Sequence, residues 1–200
     1  MGAGRKARLD AGVTRNARAR VVSLPSCTTS DYNRLSFTAA ATDLDRRTSD
    51  LDSHEITRYL HEQIPITAAM EIEVAEFSGP SVRVTAPLAA NLNHQQSAFG
   101  GSISTVGIVA GWAVLWGNFR IRSLPINLVI AHTETEMGRP ACGDLVAVTR
   151  PLGDKAISEL LLALEQFGKA RTNVTADIFC QDQLVAKSTG TFVALAASDA

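Results

Sequence analysis

Very little in this 200-residue sequence invites a covalent or metal-based explanation. It has three cysteines, Cys27, Cys142 and Cys180, widely spaced and without a C-x-x-C pair. An odd, scattered set excludes a disulfide frame and a thiolate zinc site, and reads as reduced thiols. His54-Glu55 followed by His61 misses the spacing that would put two histidines on one metal-binding helix face. Neither sign of charge is in excess, with 19 Lys and Arg against 20 Asp and Glu, which excludes a generally basic nucleic-acid binder. Long apolar runs are also missing. The longest, Ile103 to Trp116, falls short of the roughly 18 residues that a membrane span needs, and no signal-peptide core is seen. Without a secretion signal, the sequon Asn173-Val174-Thr175 carries no weight.

What remains is a chain with 46% hydrophobic residues, enough for one globular domain plus an extension. Residues 1–20 hold Arg5, Lys6, Arg8, Arg15, Arg18 and Arg20 against a single Asp10. That composition suits either an organelle-targeting segment or an unstructured tail. Residues 21–50 stay polar without a usable period. The expectation is a basic, then polar extension over 1–50 and a domain over 51–197. A cytoplasmic location is expected, with organelle targeting as the alternative.

Within the domain, Leu51, Ile56, Tyr59, Leu60 and Ile64 predict a short helix stopped by Pro65. The segments 70–77 and 81–88 alternate in polarity and predict two strands joined at Ser78-Gly79-Pro80. A polar loop from Asn91 then ends at Gly100-Gly101 and enters the apolar run, which predicts a helix buried nearly all round. Gly107 and Gly111, four apart, would let sheet or partner backbone approach it closely. Strands are expected at 127–138 and 144–152, a helix at 156–168 ended by Gly168, and a closing hairpin of 170–180 with 184–195 about Gln181-Asp182-Gln183. The class is α+β: a curved antiparallel sheet wrapped around one long apolar helix. Its open edges favour pairing with a second copy.

That arrangement is the hotdog fold. The stretches "APLAANLNHQQSAFGGS", "GWAVLW", "VIAHTETEMGRPACGD" and "FGKARTNVTADIFCQDQLVAKSTGTFVAL" resemble the thioesterase family of the YiiD C-terminal type. The likeness runs from about Leu60 to Leu195 and centres on Asn91, Asn93, Ser97, Phe99, Gly100, Gly101 and Ser102. It implies hydrolysis of an acyl thioester of coenzyme A or acyl carrier protein, without a cofactor, by a homodimer or a dimer of dimers.

Thioester hydrolysis needs a placed water and donors for a developing oxyanion. Glycines at a helix start offer backbone N–H groups and the positive end of the helix dipole, so Gly101 is the expected oxyanion donor, with Gly100 and Phe99 beside it. Many hotdog thioesterases read His-Gly-Gly here and carry an acid about two turns further on. This chain has Phe99 in place of the His, and Ile108 near the position of the acid. Asn93 and Ser102 are therefore the candidates for placing water, and Glu134 or His94 for the base, although His132 as a neighbour of Glu134 weakens that choice. Asn91, Ser97 and Thr105 are the expected substrate contacts. Arg139 suits a phosphate of the carrier arm or an ion pair with Asp144. Trp112 and Trp116 either pack the core or wall an acyl pocket. No metal is expected. The rival functions are a non-catalytic acyl-CoA binder and, further off, an acyl-thioester dehydratase or hydratase built on a His–acid pair.

Overall fold

A computed structural model describes residues 51–197; the expected extension over 1–50, and Cys27 within it, lie outside the described residues. Helix α1 (Ser53–Gln63) starts because the Asp52 carboxylate accepts the His54 N–H at 3.1 Å, satisfying one of the donors exposed at a helix start. Its inward stripe carries Ile56 and Leu60, both fully buried. Pro65 ends α1 and also opens a short helix, α2 (Pro65–Ala69). Its missing N–H costs nothing at the first helical position.

Strands β1 (Glu73–Phe77) and β2 (Val82–Ala86) pair antiparallel, with Gly79 at φ 85° in the turn between them. β1 is shorter than the alternation of 70–77 predicts. Met70 ends α2, Glu71 takes φ 52°, and the register shifts between Val74 and Glu76. A single 3-10 turn (Leu88–Asn91) leads to the polar loop.

Helix α3 (Gly100–Arg120) follows, then β3 (Ile126–Met137), β4 (Leu145–Thr149), α4 (Asp154–Phe167), β5 (Lys169–Cys180) and β6 (Gln183–Ala196). The sheet order is β1-β2-β4-β5-β6-β3, and every pairing is antiparallel. Gly168 at φ 64° closes α4, its N–H reaching the Leu164 carbonyl. The final hairpin turns on two residues only, Gln181 and Asp182, both at positive φ, so Gln183 already belongs to β6.

Helix α3 packs against all six strands, and 13 of its 21 residues are buried. By length and composition alone it would suffice to cross a bilayer, yet 72% of its most apolar window is buried within the fold. It is the core helix around which the sheet curves. Glycines set its approach to β6. A Cβ at Gly107 would lie 2.5 Å from the Ser188 Cβ, and one at Gly111 would lie 2.7 Å from the Phe192 ring.

Candidate functional site

The polar loop is built around Asn93. Its N–H donates to the Ser97 carbonyl at 2.8 Å, and its Oδ1 accepts the N–H groups of Gln95 and Ser97. Its Nδ2 donates to Ser97 Oγ at 3.0 Å and to the Ala98 carbonyl at 3.3 Å. All four side-chain hydrogen-bonding positions are thus taken inside the loop, and Asn93 serves as its brace. Gln96 sits at φ 60° at the tip, next to the exposed His94, while Ser97 is buried beneath.

Asn91 ties the loop to the rest of the fold. It is 2% exposed, and its Nδ2 donates to the Met70 and Pro87 carbonyls at 3.0 and 2.8 Å. Its backbone carbonyl accepts the Phe99 N–H at 2.8 Å, and its Oδ1 is buried without a partner among the described residues. On the other side the Ala98 N–H donates to the Ala141 carbonyl, and Asp144 accepts the Leu88 N–H at 2.8 Å. The Arg139–Asp144 ion pair considered from sequence does not form: Arg139 donates to Gln183 at 2.7 Å and is otherwise exposed.

These anchors present the start of α3 with its donors free. Of the four N–H groups that a helix start leaves open, that of Phe99 is taken by Asn91. Those of Gly100, Gly101 and Ser102 meet no acceptor among the described residues. Two exposed apolar side chains flank them. The Phe99 ring lies so close over Gly101 that a Cβ there would be 2.2 Å away, and the Met137 Cε comes within 3.2 Å of a Cβ built on Gly100. Ser102 is buried with its hydroxyl unpartnered among the described residues, whereas the Thr105 hydroxyl donates back to the Gly101 carbonyl at 2.8 Å.

The structure brings Asn91, Asn93, Ser97, Phe99, Gly100, Gly101, Ser102 and Thr105 to one end of α3. It does not bring Glu134 there. Paired residues of neighbouring strands share a face. Glu134 pairs with Thr189 and His132 with Thr191, in rows opposite to the row of Thr135, whose hydroxyl meets Ser188 beneath Gly107. Met137, on the helix-facing side of β3, is a site neighbour that sequence reasoning missed. A bulge between Ile130 and His132 shifts the phase of the strand, so its alternation does not run unbroken from end to end.

Residues 53–196 match the model of a family described as "Putative thioesterase (yiiD_Cterm)". The chain belongs to this family. Solved structures agree on the fold. A protein of unknown function from Chlorobaculum tepidum TLS superposes with a TM-score of 0.68 at 23% identity, over 72% of this chain and 93% of its own. A protein from Shewanella oneidensis, described as a "putative thioesterase", gives 0.64 at 26% identity, over 72% and 96%. One from Pseudomonas aeruginosa, a "Probable Thioesterase", gives 0.60 at 19% identity, over 72% and 96%. The protein is a thioesterase-type member of the hotdog fold.

Proposed function

We propose that the protein hydrolyses acyl thioesters of coenzyme A or of an acyl carrier protein. The observation that carries this reading is the set of free N–H groups at Gly100, Gly101 and Ser102, pointing out of the first turn of an apolar helix. A thioester oxygen seated there gains hydrogen bonds and the helix dipole as its charge grows. Water attacks the carbonyl carbon, the C–S bond breaks, and the thiol leaves with a proton. The unpartnered Ser102 hydroxyl orients the water. Asn93 acts one step back, by holding the loop that aims the amides. The exposed Arg139 meets a phosphate of the carrier arm.

The same reading pairs two copies through β3, a 12-residue edge strand that leaves Val129, Ile130 and Met137 exposed. Free Cys142 and Cys180 support a cytoplasmic setting. A second reading has its own support: α3 carries no carboxylate from Ser102 to Trp116, which favours a non-catalytic acyl-CoA binder. Thiol release from a panel of acyl-CoA and acyl-carrier thioesters separates the two. Turnover that falls in Gly101→Val or Ser102→Ala supports the hydrolase. Binding of every thioester without release would favour the binder.

A further inference from the structure

We infer that the Met137 thioether is an oxidation site whose sulfoxide occupies the donor set at the start of α3. Only the effect on turnover rests on the reading of that donor set as a thioester site. The chain has three methionines, of which Met1 lies outside the described residues. Met70 is 8% exposed and belongs to the core, whereas Met137 is 51% exposed. Oxidants reach an accessible thioether before a buried one. Met137 is the last residue of β3, and a thioester seated at the free amides would lie beside it. A peroxide is smaller than that substrate and reaches the sulfur by the same opening.

The Cε and Sδ of Met137 lie 3.2 and 3.4 Å from the position that a Cβ on Gly100 would take. A helical Cα–Cβ bond tilts toward the helix N-terminus, the side to which the first N–H groups also point. The sulfur therefore sits beside the donors of Gly100, Gly101 and Ser102, which meet no acceptor among the described residues. The root of the side chain is fixed. Met137 pairs with Ala186, and the next N–H, that of Gly138, donates to the Val185 carbonyl at 2.8 Å.

In the reduced protein a thioether is a weak acceptor, and the amides stay open to substrate. With hydrogen peroxide, the sulfur lone pair attacks one oxygen and the O–O bond breaks. The proton on that oxygen passes to the leaving oxygen, which departs as water. The sulfur is oxidised by two electrons and the peroxide is reduced by two. The new oxygen carries partial negative charge, and the positive end of the helix dipole favours it. Rotation about the flexible side chain brings it to hydrogen-bond distance, about 2.9 Å, from the Gly100 N–H. It then competes with the thioester oxygen for the same donor, and one such bond slows turnover about tenfold.

The test treats the full-length protein with hydrogen peroxide and then with dithiothreitol, which reverses disulfides and sulfenic acids but leaves methionine sulfoxide. Peptide mass spectrometry locates the added oxygen, amide NMR follows Gly100 and Gly101, and thiol release from acyl-CoA reports turnover. Met137→Leu, without the oxidisable sulfur, is compared with itself before and after peroxide. The expected result is one oxygen on Met137 well before Met70, a Gly100 N–H resonance moved downfield, and thiol release down about tenfold. Methionine sulfoxide reductases, one for each epimer, should restore both, and Met137→Leu should show neither change. A Met137 sulfoxide with an unmoved Gly100 amide would overturn the inference, as would an equal fall in rate in Met137→Leu. The two claims fail separately. Thioesters bound without thiol release retire the hydrolase, and the amide shift still decides the hydrogen bond. Thiol release with an unmoved amide does the reverse.

Discussion

The two sides of α3 obey different rules. Toward β6 the helix is held at glycine distance, with Gly107 on Ser188 and Gly111 on the Phe192 ring, and no side chain can be added. On the other side, from Gly101 through Thr105 and Ile108 to Trp112, the same helix is half-covered, with hydroxyls and amide donors at one end and stacked rings at the other. Close packing on one face uses small residues where backbone and ring must touch. The open face keeps groups that have no use in packing, such as the free N–H of Gly101. One helix thus serves as core and as site, and glycine does a different job on each side.

Substitution at matched positions should separate those jobs. Gly111→Val, placed against the buried Phe192, is expected to lose about 3 kcal/mol or more, seen as a lower midpoint in chemical denaturation. A variant as stable as wild type would mean that the packed face yields as easily as the open one. Gly101→Val meets the Phe99 ring, which is 56% exposed and free to swing away. It should cost no more than about 1 kcal/mol, while thiol release drops by roughly a hundredfold as the amide is masked.

Asn93→Ala lies between these extremes. Removing the brace leaves the N–H groups of Gln95 and Ser97 without their acceptor, for about 1–2 kcal/mol and a smaller fall in rate. Asn93→Asp, which keeps the acceptor, should recover part of both. Ser102→Ala should leave stability within ~0.5 kcal/mol, since its hydroxyl holds nothing in the fold, and slow thiol release by about tenfold. Glu134→Gln, on the face of β3 turned away from α3, should change neither quantity by more than about twofold. A large loss of rate there would bring Glu134 back as the base and require a route to it from outside the single chain.

Much of this was legible in the residues. The strict alternation at 81–88 and the Gly168 stop produced their elements within about two residues, and the apolar run Ile103 to Trp116 produced a helix that extends three residues before it and four beyond it, because period and capping are local properties. Gly107 and Gly111 announced a close approach that the structure assigns to β6. The loop motif from Asn91 to Ser102 was visible as a unit, but the division of labour inside it was not. Asn91 and Asn93 look alike in the sequence. One is buried against Met70 and Pro87, the other is consumed by its own loop.

By itself, then, the sequence determined the α+β order of elements, the wrapped core helix and the donor-rich turn that opens it. Each of these follows from hydrophobic period, turn chemistry or the helix start, which neighbouring residues specify. Only the tertiary structure decided which candidates share a site. The bulge in β3 sets Met137 against Gly100 and turns Glu134 to the far face, and the Trp112 indole crosses to Leu128. Those relations join residues 16 and 37 positions apart, or hang on a shift of one residue in register. A shift of one residue moves every following side chain to the other face.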